Sequence, residues 1–388
     1  MISWSEERLA RAALGGLLGY GAGQVLSLAA EAGPVEAWRL IKQGQIGEAR
    51  RSAMLAWAAT INPETIAETT EQLGFRFVIP GDDEWPPSLG DLAVCNLKTN
   101  ETVLGGAPVG LWLVGPGHLA DWCHSAVAMV GARAASRYGE SMAFRLASEL
   151  VDASGSQGWT VISGGAFGID AASHRGAMVA NGRTVGVFAG GLDRPYPPGN
   201  SGLIEMIAEN GLAISELPPG AHPTRPGFLA RNRLIAALSA GTVVVEGGLR
   251  SGARNTANWA AMMGRVVMAL PGPVTSVMSA TPHRLIRDGE AVLVTDSNDI
   301  RALLEPIGQV PELPFADLAR PGDDLTGDEN VIHEALPGRG AMTISEVVLA
   351  SGVPVTRSIK ALQSLESKGL AQADSQGRWR IRRQPAST

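Results

Sequence analysis

Cysteine is nearly absent from this chain of 388 residues: Cys95 and Cys123 are the only two. Two thiols cannot build a disulfide framework or a four-ligand zinc site, and they suit a reducing compartment. Lysine is almost as rare. Lys42, Lys98, Lys360 and Lys368 are the only lysines among 32 basic residues, and none falls between positions 110 and 305. Either genome base composition or a use for arginine's planar, bidentate fork accounts for that bias. No apolar stretch reaches transmembrane length without a Gly, Pro or charge breaking it. The N-terminus carries Glu6 and Glu7 ahead of any apolar run and lacks a secretory cleavage pattern. The expectation is a cytoplasmic protein without membrane insertion. A net charge of −6 excludes sequence-blind coating of nucleic acid by the whole surface, so a polyanion would have to be met by a local pocket. Internal repeats and low-complexity tracts are also missing.

What is present is globular composition, 45% apolar and 18% charged, in a chain long enough for two or three domains. Residues 1–75 read as a small helical domain of the helix-hairpin-helix kind, with short segments such as LARAALGGLLG and PVEAWRLIKQG broken by Gly and Pro. Residues 76–304 read as the core. Its first part is a turn-rich connector contributing one or two strands, FRFVIP and GLWLVG. From about 125, short apolar strands (SAVAMVG, WTVISG, TVGVFAG, GLAISEL, GTVVVEG, RVVMALPG, AVLVTD) alternate with helical segments of ten or so residues. That alternation means βαβ units and a mostly parallel, doubly wound α/β sheet. A linker with four prolines spans 305–324. Residues 325–388 read as three short helices and a hairpin, a winged-helix-like module.

In an open α/β sheet, ligands bind outside the carboxyl ends of the strands, and the unusual residues cluster there. The first strand is followed by Gly131-Ala-Arg133-Ala-Ala-Ser136-Arg137, opening a helix. Such a turn presents free N–H groups and a positive dipole end to an anion, and the arginines add forked donors. Ser136 is placed to cap the helix while sharing its hydroxyl with a phosphate oxygen. The second strand ends in Ser163-Gly164-Gly165-Ala-Phe-Gly168-Ile-Asp170, either a phosphate-facing loop or a tight connection held by Asp170. His174, one turn on, reads as a packing residue. The third turn, Gly190 to Asn200, offers Arg194 and Tyr196, a cation with an aromatic that either stacks on a base or packs under the loop. Arg231 and Arg233 lie about 200° apart on one helix, so one points to the anion site and the other to an internal carboxylate such as Glu246 or Glu216. A fourth turn, Glu246 to Thr256, carries Arg250, Ser251, Gly252 and Arg254. The first βα turn lacks G-x-G-x-x-G, against a dinucleotide-dependent oxidoreductase. A nucleoside-monophosphate-cleaving hydrolase of the lysine-decarboxylase-like group would need an acid in SGARNTANWA, which supplies Asn255 and Asn258 instead.

The ordered blocks are Gly-x-Arg-x-x-Ser-x-Tyr-Gly, Ala-x-Gly-Ile-Asp-Ala-Ala-x-His-Arg-Gly-Ala, Gly-Gly-Leu-Asp-x-x-Tyr-Pro, Ser-Glu-x-Pro-Pro-Gly, Arg-Asn-Arg-x-Ile-Ala and Pro-Gly. Running from Gly131 to Gly272, they resemble the DprA/Smf family of DNA-processing proteins. The resemblance implies an extended Rossmann-like core that binds single-stranded DNA, forms homodimers and delivers strands to RecA during natural transformation. It also implies no cofactor, no metal and no catalytic turnover. The DNA-facing candidates it implies are Gly131, Arg133, Ser136, Arg137, Ser163, Gly164, Gly168, Arg194, Arg231, Arg233, Ser251 and Gly252. The chain departs from the family pattern at Ala132, where a hydroxyl residue is usual. It departs again at Thr281-Pro282, where a Gly/Asn turn is usual.

Overall fold

The computed structural model describes residues 4–46, 51–99, 102–151, 158–249, 251–305, 325 and 327–382. Two compact units divide the chain, Met1–Val310 and Pro311–Thr388. The Pro-rich stretch expected as a linker lies, from 306 to 324, outside the described residues.

The first unit opens with helices α1 (Glu6–Ala32), α2 (Pro34–Lys42), α3 (Arg51–Ala58) and α4 (Pro63–Gln72). Contrary to the short Gly-broken helices expected, α1 runs unbroken for 27 residues through Gly15 and Gly16. These glycines are contact points rather than breaks. A Cβ on Gly15 would sit 2.8 Å from the Trp112 ring, and one on Gly16 would sit 3.0 Å from Ile61 Cδ1. The helix tolerates roughly 1 kcal/mol per glycine because each lets it pack closely. Ser5 caps α1, accepting from Arg8 N at 3.2 Å, and Glu6 and Glu7 suit the positive end of its dipole.

Next come β1 (Arg76–Val78), a hairpin of β2 (Asn96–Thr99) and β3 (Thr102–Gly105), and β4 (Leu111–Val114). The alternating core follows: α5 (Leu119–His124), β5 (Ala126–Val130), α6 (Arg137–Val151), β6 (Thr160–Ser163), α7 (Ile169–Val179), β7 (Thr184–Phe188), α8 (Ser201–Asn210) and β8 (Leu212–Ser215). It continues with α9 (Arg225–Ala237), β9 (Gly241–Val244), α10 (Gly252–Met262), β10 (Val266–Ala269), α11 (Ala280–Arg287), β11 (Val292–Leu293) and α12 (Ser297–Leu304). The sheet order is β1-β4-β8-β7-β6-β5-β9-β10-β11. All neighbours pair in parallel from β8 to β11, while β4 runs antiparallel to both β8 and β1. The fold is thus the mostly parallel, Rossmann-like α/β class. The two connector strands foreseen in the sequence form its antiparallel edge, while the β2–β3 hairpin left no signal.

The period-2 alternation of a strand places successive side chains on opposite faces. Ala126, Ala128 and Val130 of β5 join Leu234 and Trp259 in one core. Val127 and Met129 join Leu146 and Ile169 in the other. Burial on both faces is why these strands read as continuous apolar runs.

The second unit holds α13 (Asp328–Ala335), α14 (Ile344–Ser351), α15 (Val355–Ser367) and a hairpin of β12 (Ala371–Ala373) and β13 (Trp379–Ile381). Ile332, Val347, Leu362 and Leu365 form its core. A capping box between Thr343 and Glu346 starts α14, and Gly352, at φ 68°, ends it in the left-handed region.

Candidate functional site

Strands β5 to β8 build outward to one side, and the chain then returns to lay β9 against the other side of β5. The strand order therefore reverses between β5 and β9, the position at which open α/β sheets bind ligands. A cavity of about 510 Å³ lies there, lined by Gly131 to Ala134 after β5, Ala166 and Asp170 after β6, Phe228, Leu229, Arg231 and Asn232 of α9, and Gly248, Leu249 and Ser251 to Ala253 around the start of α10. Its volume is that of a small-molecule site.

Internal carboxylates occupy two of the four glycine turns, the second of them as the tight-connection reading of the Asp170 loop has it. Glu246, buried at the end of β9, accepts from Ser136 N at 2.9 Å and from Ser136 Oγ at 2.6 Å. Ser136 Oγ in turn accepts from Gly139 N at 3.1 Å. The Ser136 hydroxyl therefore caps α6 and serves Glu246, leaving nothing to share with a phosphate. Gly139 exists for that contact, since a Cβ there would lie 2.3 Å from Glu246 Oε2. At α7 the buried Asp170 fills the corresponding position, where the neighbouring backbone of Ala166 and Gly164 and the Ser163 side chain favour its ionised form. Burial raises its pKa, against the opposing pull of nearby Arg231. Ser163 is fully buried and donates its hydroxyl proton to Met129 O at 2.6 Å. Gly168, at φ 73°, packs against the carbonyls of Ala132 and Arg133. Ser136, Ser163 and Gly168 thus hold the loops and do not face the cavity.

The arginines divide by pairing. Arg233, 2% exposed, forms a two-pronged ion pair with Glu216 at 2.8 and 2.6 Å and also donates to Gly106 O and Ala230 O. Its charge is neutralised inside the protein, the internal carboxylate partner expected for one of the two arginines. Arg231, 7% exposed, lines the cavity instead. Its Nη1 donates to Gly164 O at 2.9 Å and to Val187 O, and its Nε donates to Asn232 Oδ1 at 3.3 Å. A Cβ on Gly164 would meet the Arg231 guanidinium at 2.6 Å, so Gly164 is the surface on which that group lies. Among the described residues no carboxylate comes within ion-pair distance of Arg231. Burial pulls its pKa down to about 10, Asp170 opposes that, and Arg133 adds like-charge repulsion. Arg133 is exposed at the rim, 5.0 Å from the Phe228 ring centroid, and makes no ion pair among the described residues. Two cations sharing one cavity with a single lining carboxylate, Asp170, leave it positive.

The third anion-binding element is α10. Ser251 stands at its N-cap without making the capping hydrogen bond, and Ser251, Gly252 and Ala253 line the cavity. First-turn N–H groups without a side-chain acceptor, plus the dipole, make this helix end an anion seat. Thr281 fixes the turn before it, its N donating to Gly247 O at 2.8 Å and its Oγ1 to Gly248 O at 2.7 Å. The Thr-Pro departure at this position is therefore a structural clamp. Asn232 bridges Arg231 to α10 through Gly252 O and Asn255 Oδ1. Arg250 lies outside the described residues.

Arg194 is not in this cavity. It sits beside a second, smaller hollow with Tyr196, and its Nη1 lies 2.8 Å from His222 Nε2. Tyr196 is partly exposed and tilts against Phe228 at 5.6 Å, so Phe228 joins the two hollows. Arg137 is exposed at the start of α6, outside the cavity lining. His174 is fully buried with Nδ1 2.7 Å from Thr184 Oγ1, the packing role expected. The structure brings together Gly131, Arg133, Arg231, Ser251 and Gly252. Sequence reading missed Phe228; Asn232, between the two arginines, and Thr281, at the departure from the family pattern, were visible there without a role.

A mostly parallel sheet with an arginine-lined cavity at its switch point defines an α/β protein of the Rossmann-like class. The chain belongs to the DNA recombination-mediator protein A family, whose profile matches residues 76–305. It is 44% identical over 363 residues to a DNA processing protein DprA of Mycobacterium tuberculosis, covering 93% of this chain and 90% of that protein. It is 36% identical to the protein Smf of Escherichia coli, over 79% of this chain and 78% of that one. The X-ray structure of DNA processing protein A from Streptococcus pneumoniae matches with a TM-score of 0.62 and 28% identity, covering 79% of this chain and all of that one. Among the described residues, no helix is long and apolar enough to cross a membrane.

Proposed function

We propose that this protein binds and protects single-stranded DNA by its phosphates and helps load RecA on it during DNA uptake and recombination, acting as a homodimer and without catalytic turnover. The observation that carries this reading is the meeting of Arg133, Arg231 and the uncapped end of α10 around one cavity. Family membership supports a DNA ligand; phosphate is what the residues themselves argue for. The aromatics beside Arg133 and Arg194, half-buried Phe228 and exposed Tyr196, are the stacking surfaces that single strands use. In this reading Arg194 and Arg137 extend the contact beyond the cavity, and residues 325–388 form a winged-helix-like accessory module.

A titration of wild type and Arg133→Ala with one labelled single strand at two salt concentrations tests it. The variant should bind about ten-fold more weakly, the worth of one charge-assisted hydrogen bond. It should do so for every sequence alike, since phosphate contacts carry no base information. Its log–log salt slope should be shallower by about 0.7, one phosphate fewer. Unchanged affinity and slope would remove Arg133 from the interface.

A further inference from the structure

We propose that the switch-point cavity recognises a terminal phosphomonoester, either the phosphorylated end of a strand or a free nucleoside monophosphate, in preference to an internal phosphodiester. This deepens the function proposed above and rests on it. The first ground is depth. Arg231 is 7% exposed and lies at the cavity wall with its Nη1 tied to the Gly164 and Val187 carbonyls. Its Nη2 makes no hydrogen bond among the described residues. A phosphate that reaches this group must lead into the cavity. A mid-strand phosphate carries chain on both sides, and both arms would have to enter with it. A terminal phosphate brings one arm and presents three free oxygens.

The second ground is charge. Arg133 and Arg231 supply two positive charges, and the α10 end adds about half of one. The one carboxylate among the described lining residues, Asp170, offsets one of these, leaving about +1.5. A terminal phosphate carries about −1.5 to −2 near neutral pH, against −1 for a diester. The monoester therefore matches the cavity and the diester leaves it positive. The third ground is size. About 510 Å³ is the volume of a small-molecule pocket rather than of a groove, and Phe228, Leu229 and Leu249 at its wall offer apolar contact to one sugar and base.

The test compares three single strands of one sequence with the same internal label: hydroxyl-ended, 5′-phosphorylated and 3′-phosphorylated. Fluorescence anisotropy on the full chain reads the affinities, with deoxynucleoside monophosphate, nucleoside and inorganic phosphate as competitors. One phosphorylated strand should bind about ten-fold tighter than the hydroxyl-ended one, the worth of one further charge-assisted hydrogen bond. The monophosphate should compete where the nucleoside does not, and inorganic phosphate should compete more weakly. In Arg133→Gln, an exposed change that leaves the core intact, the end preference should fall toward one. Equal binding of all three strands, with no competition by the monophosphate, overturns the inference and leaves single-strand binding standing. Equal strand binding with competition by the monophosphate assigns the cavity to the free nucleotide. Failure of every strand to bind, with the monophosphate still bound in a thermal-shift assay, sinks the single-strand reading and keeps this one.

Discussion

Replacing Gly168 with alanine tests the join on which the cavity depends. Gly168 has φ 73° and ψ −123°, a backbone region reserved in practice for glycine. Holding alanine there costs about 1–3 kcal/mol. The new Cβ would lie 2.3 Å from Ala132 O and 2.7 Å from Arg133 O. Both are backbone atoms, so neither can swing aside, and the loops must separate at an overpacking cost of about 1–3 kcal/mol. The sum is about 2–6 kcal/mol. The same movement displaces the loop that carries Arg133. Urea denaturation should therefore show a loss within that range, and single-strand titration of the folded variant should show weaker binding. A Gly168→Ala protein as stable as wild type, with unchanged affinity, would refute both the packing argument and the link between the two loops.

Arg233→Ala should destabilise the first unit by about 3–5 kcal/mol, because it strands Glu216 as an unpaired buried charge. In that variant single-strand affinity per folded molecule should stay at the wild-type level, and the double change Arg233→Met with Glu216→Leu should recover most of the stability. A specific loss of binding by folded Arg233→Ala would return this arginine to the interface. His174 is buried neutral, its pKa lowered by desolvation to about 3 from an ordinary 6.5, with Arg231 adding to the shift. Below pH 6.5 the unfolded chain takes up the proton and the folded one does not. Stability is thus full above pH 6.5 and falls on acidification by about 1.4 kcal/mol per pH unit until about pH 3. Denaturation at pH 7.5 and 5.0 should show an acid loss in wild type about 2 kcal/mol larger than in His174→Gln; equal losses would mean that the histidine is protonated in the folded state.

The seven core strands from β5 to β11 and the helices between them were legible because each is a local pattern. Four to six apolar residues between turn formers announce a strand, and parallel burial on both faces follows from alternation with helices. The glycines of α1 misled because propensity is local and close packing is not. Gly15 is shaped by Trp112, 97 positions away, and nothing within the helix declares that contact. The β2–β3 hairpin, NLKT paired with TVLG, carries too little apolar alternation to stand out.

Chain order alone requires the four Gly-bearing turns, with their serines and arginines, to gather at one edge of the parallel part of the sheet. Strand direction follows from the βαβ alternation, and every such turn must then fall at the carboxyl ends. Which of those turns stay open depends on pairings made across the fold. Ser136 and Glu246 are 110 positions apart and meet at 2.6 Å, closing one. Asp170 closes another, and Glu216 takes Arg233. What remains for an anion is Arg133, Arg231 and the free end of α10. A guanidinium or an N–H group binds a ligand only if no internal carboxylate reaches it first, and such pairings across the fold leave no periodic trace in the chain.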